Sequence, residues 1–116
     1  MTYVMCYVAA VPTDKKDEYS AFAAKAAAIF KDHGATRVVE CWGLAVPPGE
    51  TTSYPLAVRA KEGETVVTGW QEWPDKASQE AGVAMAMQDP RFKELGMPPM
   101  DGKRMIFGGF EVLTDL

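Results

Sequence analysis

Metal chemistry finds little to work with in this chain, because histidine occurs once, at His33, and cysteine twice, at Cys6 and Cys41, in 116 residues. No C-x-x-C pair or Cys/His cluster gathers them. The expectation is therefore no metal, no tightly held cofactor and no disulfide framework, with both thiols reduced and mostly buried. Positive charge is also short: 12 basic residues against 16 acidic ones give a net charge of -4. That balance leaves no footprint for a nucleic acid or an anionic membrane surface. Long apolar runs are missing too. The opening "MTYVMCYVAAVP" carries no basic leader and is cut at Pro12, so neither a secretion signal nor a membrane span is expected, and the cytoplasm is the expected compartment.

A phosphate loop is excluded by spacing. In "DGKRMIFGGFEVL", residues 101 to 113, two basic side chains neighbour three glycines, but neither G-x-G-x-x-G nor G-x-x-x-x-G-K-[ST] is present. Met105, Ile106, Phe107, Phe110 and Val112 are strand formers, which makes the segment the start of a strand, with Asp101 and Gly102 turning into it. Gly108 and Gly109 are expected where a helix or a partner backbone comes close.

What is present reads as one domain over residues 1 to 116. Residues 3 to 11 are apolar almost throughout, fitting a strand covered on both faces. A helix follows, with Tyr19, Phe22, Ala23, Ala26, Ile29 and Phe30 at helical spacing, Thr13 or Asp14 as cap, and Gly34 as terminator. In its last turn the cationic form of His33 would meet carbonyl dipoles; a haem ligand or general base is the sharper alternative for this residue. Residues 36 to 46 read as a second strand closed by "PPGE". "TTSYPLAVRAKEGE" reads as a connection with a few anchored apolar residues. Residues 65 to 73 form a third strand, and a second helix follows with Ala77, Ala81, Ala84, Met85 and Gln88 on one stripe. Asp89 and Pro90 break it and start a short turn over "PRFKEL". Residues 103 to 113 supply a fourth strand. The order β-α-β-β-α-β is the ferredoxin-like α+β arrangement, with helices on one face of a four-stranded antiparallel sheet. The other face is too apolar to meet water, and a second copy of the chain is the economical cover.

The segments "VAAVPTDKKDEY" (8 to 19), "VECWG" (39 to 43), "VPPGE" (46 to 50), "DPRFKELG" (89 to 96) and "DGKRMIFGGFE" (101 to 111) resemble the YbaA-like family of uncharacterised bacterial proteins. The resemblance runs nearly the whole chain. It implies a dimeric α+β barrel, two ferredoxin-like chains joined sheet to sheet, and it brings no catalytic residue with it.

Candidate pocket residues follow from strand parity. Glu40 and Trp42 share one face of the second strand, and Trp70 and Glu72 share one face of the third. Glu40 is either a cavity acid with a raised pKa or a partner in an ion pair with Arg37, Lys103 or Arg104. Glu72 beside Trp70 sets an acid against an indole. Tyr3, Tyr7, Trp42, Trp70 and Phe107 are either aromatic pocket walls or the filling of a dimer core. Arg104, expected one residue into the last strand, either compensates one of the two glutamates or meets an anionic ligand. Cys41 lacks an activating base nearby in sequence. The reading is a cytosolic homodimer that binds a small apolar or aromatic metabolite; the alternative is a cofactor-independent monooxygenase-like or lyase-like enzyme on a small aromatic substrate.

Overall fold

A computed structural model describes residues 2–116. Strand β1, Tyr3–Pro12, pairs antiparallel with β3, Glu64–Trp73, on one side and with β4, Ile106–Glu111, on the other, while β2, Arg37–Trp42, pairs with β3. The sheet order is β2-β3-β1-β4. Helices α1, Lys16–Asp32, α3, Lys76–Gln88, and α4, Pro90–Leu95, cover one face. The fold is ferredoxin-like, as the element order predicts.

Burial follows from side-chain alternation along each strand. Odd residues of β1 and β3 face the helices, so Ala9, Val11 and Val67 pack under Tyr19 and Ala23, and Trp73 packs against Ile29, Phe30 and Ala86. Even residues face the other way. There Ala10 and Val66 are covered by Val58 from the β2–β3 connection, which contains one helical turn, α2, Tyr54–Ala57. Beyond that patch the face is uncovered, and Ile106 and Phe110 are 46% and 57% exposed.

Several boundaries differ from the sequence reading. α1 is entered through a 3-10 turn at Thr13–Lys15, and neither Thr13 nor Asp14 caps it; the Thr13 hydroxyl lies 2.7 Å from that of Thr65 instead. β2 stops at Trp42, and Leu44 beyond it is 98% exposed. Lys103 and Arg104 belong to a 3-10 turn, Gly102–Arg104, whose Lys103 N–H donates to Asp101 Oδ1 at 3.0 Å. The last strand therefore begins at Ile106 rather than 103.

Helix α3 presents a different stripe from the one expected. Ala77, Ala81, Ala84, Met85 and Gln88 are all exposed, and Gln79, Gly82 and Ala86 are buried. Alanines are spread round this helix, so apolar periodicity does not single out a face; volume does. A Cβ on Gly82 would collide with the Trp73 ring and stand 2.5 Å from the His33 carbonyl oxygen, so only glycine lets the helix approach the largest core side chain.

Asp89 ends α3 and starts α4. Its Oδ1 accepts from the Arg91 N–H at 2.9 Å, its Oδ2 accepts from Arg91 Nη2 at 2.7 Å, and His33 Nε2 lies 2.9 Å from that same oxygen. Arg91, and after it His33, holds the Asp89 carboxyl well below its ordinary range. His33 thus spends its ring on tying α1 to α4, while its backbone N–H closes the helix on Phe30.

Candidate ligand cleft

Between the helices and the sheet lies a cleft of ≈ 520 Å³, lined by Met5 and Tyr7 of β1, Phe22 and Phe30 of α1, Val83 and Met87 of α3, and Met97, Met100 and Met105 of the 96–105 loop. Its walls are mostly apolar and sulfur-rich, suited to molecules of adaptable apolar shape. It is open along the β4 side, where Phe107 on its rim is 69% exposed and Met97 86%.

A second hollow of ≈ 290 Å³ adjoins it, lined by Lys16, Ser20, Ala24, Ala27, Val38 and Trp42. Tyr19, Ala23 and Glu40 belong to the walls of both. The Lys16 ammonium stands 5.7 Å from the Trp42 ring centroid, within cation–π range, and the Tyr19 and Trp42 rings lie 6.4 Å apart.

Glu40 is the acid of the cleft. The Tyr19 hydroxyl donates to Glu40 Oε2 at 2.8 Å. The residue keeps an exposed surface, but that surface opens into the hollow beneath α1, where less water reaches it than on a convex surface. This desolvation pushes the Glu40 carboxyl up from 4.5 to about 7. Burial likewise raises Tyr19 to about 12, so its hydroxyl keeps its proton at neutral pH.

The floor beside Glu40 is shaped by an absence. Glu40, Gly69, Tyr7 and Phe107 stand in register across all four strands. A Cβ on Gly69 would lie 2.5 Å from Tyr7 Oη, so the tyrosine ring leans into the space that glycine vacates. Gly109 admits the Tyr3 ring in the same way. Within the chain a neighbouring strand's tyrosine, rather than a helix, is what comes close at Gly109, and Gly108 has only ordinary contact with Phe110.

The sequence-derived candidates divide between the two faces. Glu40 and Trp42 line the helix-side hollows; Trp70 and Glu72 lie on the uncovered face, where Trp70 Nε1 donates to Glu72 Oε2 at 2.9 Å and Arg37 Nη1 stands 3.5 Å from the same oxygen. Arg37 and Glu72 are directly paired residues of neighbouring strands, which explains the contact. Arg104 reaches neither Glu40 nor Glu72. Its guanidinium donates to both Glu64 oxygens at 2.8 and 2.7 Å, to Asp101 Oδ2 at 3.1 Å and to the Arg59 carbonyl at 2.9 Å. Arg104 in turn drives the Glu64 carboxyl down to about 2. It is a structural clasp between the start of β3 and the turn before β4. Cys41 is exposed, and burial raises the Cys6 thiol, which makes it a poor nucleophile.

Tyr7 and Phe107, read from sequence as possible pocket walls, do line the cleft, whereas Tyr19 and Gly69 were not among the candidates drawn from sequence. Tyr19 is hidden within an apolar helical stripe, but an isolated glycine inside the strand "TVVTGWQEW" is a legible sign of close approach.

A family model described as "Protein of unknown function (DUF1428)" matches residues 2–102. The chain belongs to the DUF1428 family. Its relatives include Uncharacterized protein YbaA of Escherichia coli (strain K12), 53% identical over 116 residues and matched across 99% of both chains, and the protein of the same name from Shigella flexneri, with the same identity and coverage. The family resemblance read from the sequence is thereby established. Among solved structures the fold is similar to that of SnoaB, described as a cofactor-independent oxygenase from Streptomyces nogalater, with a TM-score of 0.60 and 16% identity over 99% of this chain and 96% of that one. It is equally similar to a dimeric ferredoxin-like protein from an uncultured marine organism, with a TM-score of 0.60 and 15% identity over 100% of both chains. At these identities the likeness is one of fold.

Proposed function

We propose that this DUF1428 member binds a small, largely apolar or aromatic molecule in the helix-side cleft, with the Glu40–Tyr19 pair as its polar anchor. The observation that carries this reading is an apolar cleft of ≈ 520 Å³ with a hydrogen-bonded carboxyl set in its wall. Clefts of a few hundred Å³ with few polar groups suit ligands of this kind. The reading also takes residues 1 to 116 as one domain and the active form as a homodimer joined through the uncovered sheet face, which a dimeric neighbour of the same fold supports. The cytoplasm suits its two free thiols, Cys6 and Cys41.

The cleft is tested with anilinonaphthalene sulfonate, a fluorescent apolar probe. Saturable enhancement is expected for the wild type and a loss of at least about tenfold in affinity for Ala23→Trp, which places an indole where the two hollows meet. Equal affinity in a folded Ala23→Trp overturns the reading. An enzymatic role as an oxygenase has only the fold likeness to SnoaB behind it.

A further inference from the structure

Glu40 differs from the partly buried carboxylates Glu64, Glu72 and Asp89. Glu64 is held by Arg104, Asp89 by Arg91 and His33, and Glu72 by Arg37 and Trp70. Among the described residues no lysine, arginine or histidine lies within ion-pair distance of Glu40, and its one hydrogen bond, from Tyr19, engages Oε2. Oε1 accepts no side-chain hydrogen bond among the described residues, and Glu40 lines both hollows. One oxygen is thus oriented by a neighbour, and no cation is paired with the group.

The orienting group is well chosen for proton transfer. The Tyr19 hydroxyl fixes one oxygen and, being buried, holds its own proton, so the other oxygen is the basic one. From the neighbouring strand, Gly69 gives up its space to the Tyr7 ring, which lines the cleft. We infer that Glu40 is a general base, removing a proton from carbon in a small aromatic or conjugated substrate held in the cleft. The inference rests on the cleft being a ligand site. Its chemistry needs no metal or redox partner: a proton passes from carbon to Glu40 Oε1, the C–H electron pair moves into the substrate, and the protonated acid returns the proton to another atom or to water. Desolvation places the carboxyl near the pH at which a base is both ionised in good part and basic enough to work. The other titratable residues lining the two hollows are Tyr19 and Lys16 from α1, Tyr7 and Cys6 from β1 and Cys41 from the same strand as Glu40; β3 contributes only the uncharged Gln71.

A probe of this chemistry is 5-nitrobenzisoxazole, an aromatic carbon acid. Loss of its ring proton to a carboxylate forms the C≡N bond, breaks the N–O bond and releases a coloured cyanonitrophenolate, with no co-reactant. Saturable elimination is expected, rising with pH about a midpoint near 7. Glu40→Gln is expected to lower kcat/KM by about 10²-fold or more, and Glu72→Gln, on the opposite face, to leave it unchanged. Tyr19→Phe removes a hydrogen bond that favours the carboxylate and is expected to move the midpoint upward while activity remains; this readout stands if Glu40→Gln does not fold. Binding of nitrobenzotriazole, an unreactive mimic, is measured alongside. If the mimic binds but elimination is absent, or is equal in wild type and folded Glu40→Gln, the general-base inference falls and the ligand site stands. If the mimic does not bind and no elimination occurs, both fall.

Discussion

The Tyr19 hydroxyl donates to Glu40 Oε2 at 2.8 Å, joining the first helix to the edge strand β2 at the point where two hollows meet. The contact gives the cleft its polarity, and the desolvation of Glu40 makes stability depend on pH. Because the folded-state value of about 7 lies above the ordinary 4.5, the folded chain holds a proton that the unfolded chain releases. This contribution is full below about 4.5 and is lost as pH rises toward 7. Urea denaturation across that window is expected to lose stability in the wild type relative to Glu40→Gln, and parallel curves would contradict it. Glu64 acts in the opposite sense, its contribution disappearing as pH falls from 4.5 toward 2.

The Arg104 clasp predicts compensation. The side chains of Arg104 and Glu64 are only 15% and 11% exposed, so Arg104→Met strands a carboxylate among protein atoms and is expected to lower Tm. Arg104→Met with Glu64→Gln is expected to recover more than half of that fall. Thermal melts of both variants decide it, and a double variant no better than the single one refutes the pairing.

Gly82→Ala is expected to cost about 1–3 kcal/mol by overpacking, because the new methyl meets the Trp73 ring and the His33 carbonyl. The check is chemical denaturation, with an unchanged midpoint as the contrary result.

The strand glycines are expected to differ among themselves. Gly69→Ala drives a methyl against Tyr7 and the Val39 carbonyl oxygen, whereas the nearest neighbour at Gly108 is a Phe110 ring atom 3.4 Å away. Gly69→Ala is thus expected to destabilise by about 1–3 kcal/mol and to weaken probe binding, with Gly108→Ala near neutral. Similar losses in both would remove the special role of the floor.

Self-association is tested on the uncovered face. Sedimentation at micromolar concentration is expected to give a dimer for the wild type and a monomer for Phe110→Glu, which puts a charge into an apolar patch. A monomeric wild type would refute the pairing.

Element order, the Asp89–Pro90 break and the Asp101 turn were legible because each rests on local chemistry: period, capping and turn residues. The α3 stripe was not, because its alanines give no contrast and its true face was chosen by Trp73, three residues before the helix begins. Parity grouped Glu40 with Trp42 and Trp70 with Glu72, but no period within one strand says which parity the helices cover. Arg104 was assigned the wrong glutamate for a related reason. Its partner, Glu64, is 40 residues away in sequence, and only the fold brings the two together.

The central place of β1 has a consequence for how the chain is made. Residues 3–12 pair with 64–73 and with β4, so β1 has no ladder partner until β3 follows. At roughly 5–20 residues per second of translation, a segment apolar on both sides waits on the order of seconds. Such distant pairing slows folding relative to helical chains of similar size. In that interval the apolar sides of "YVMCYVAAV" have no sheet to pack into.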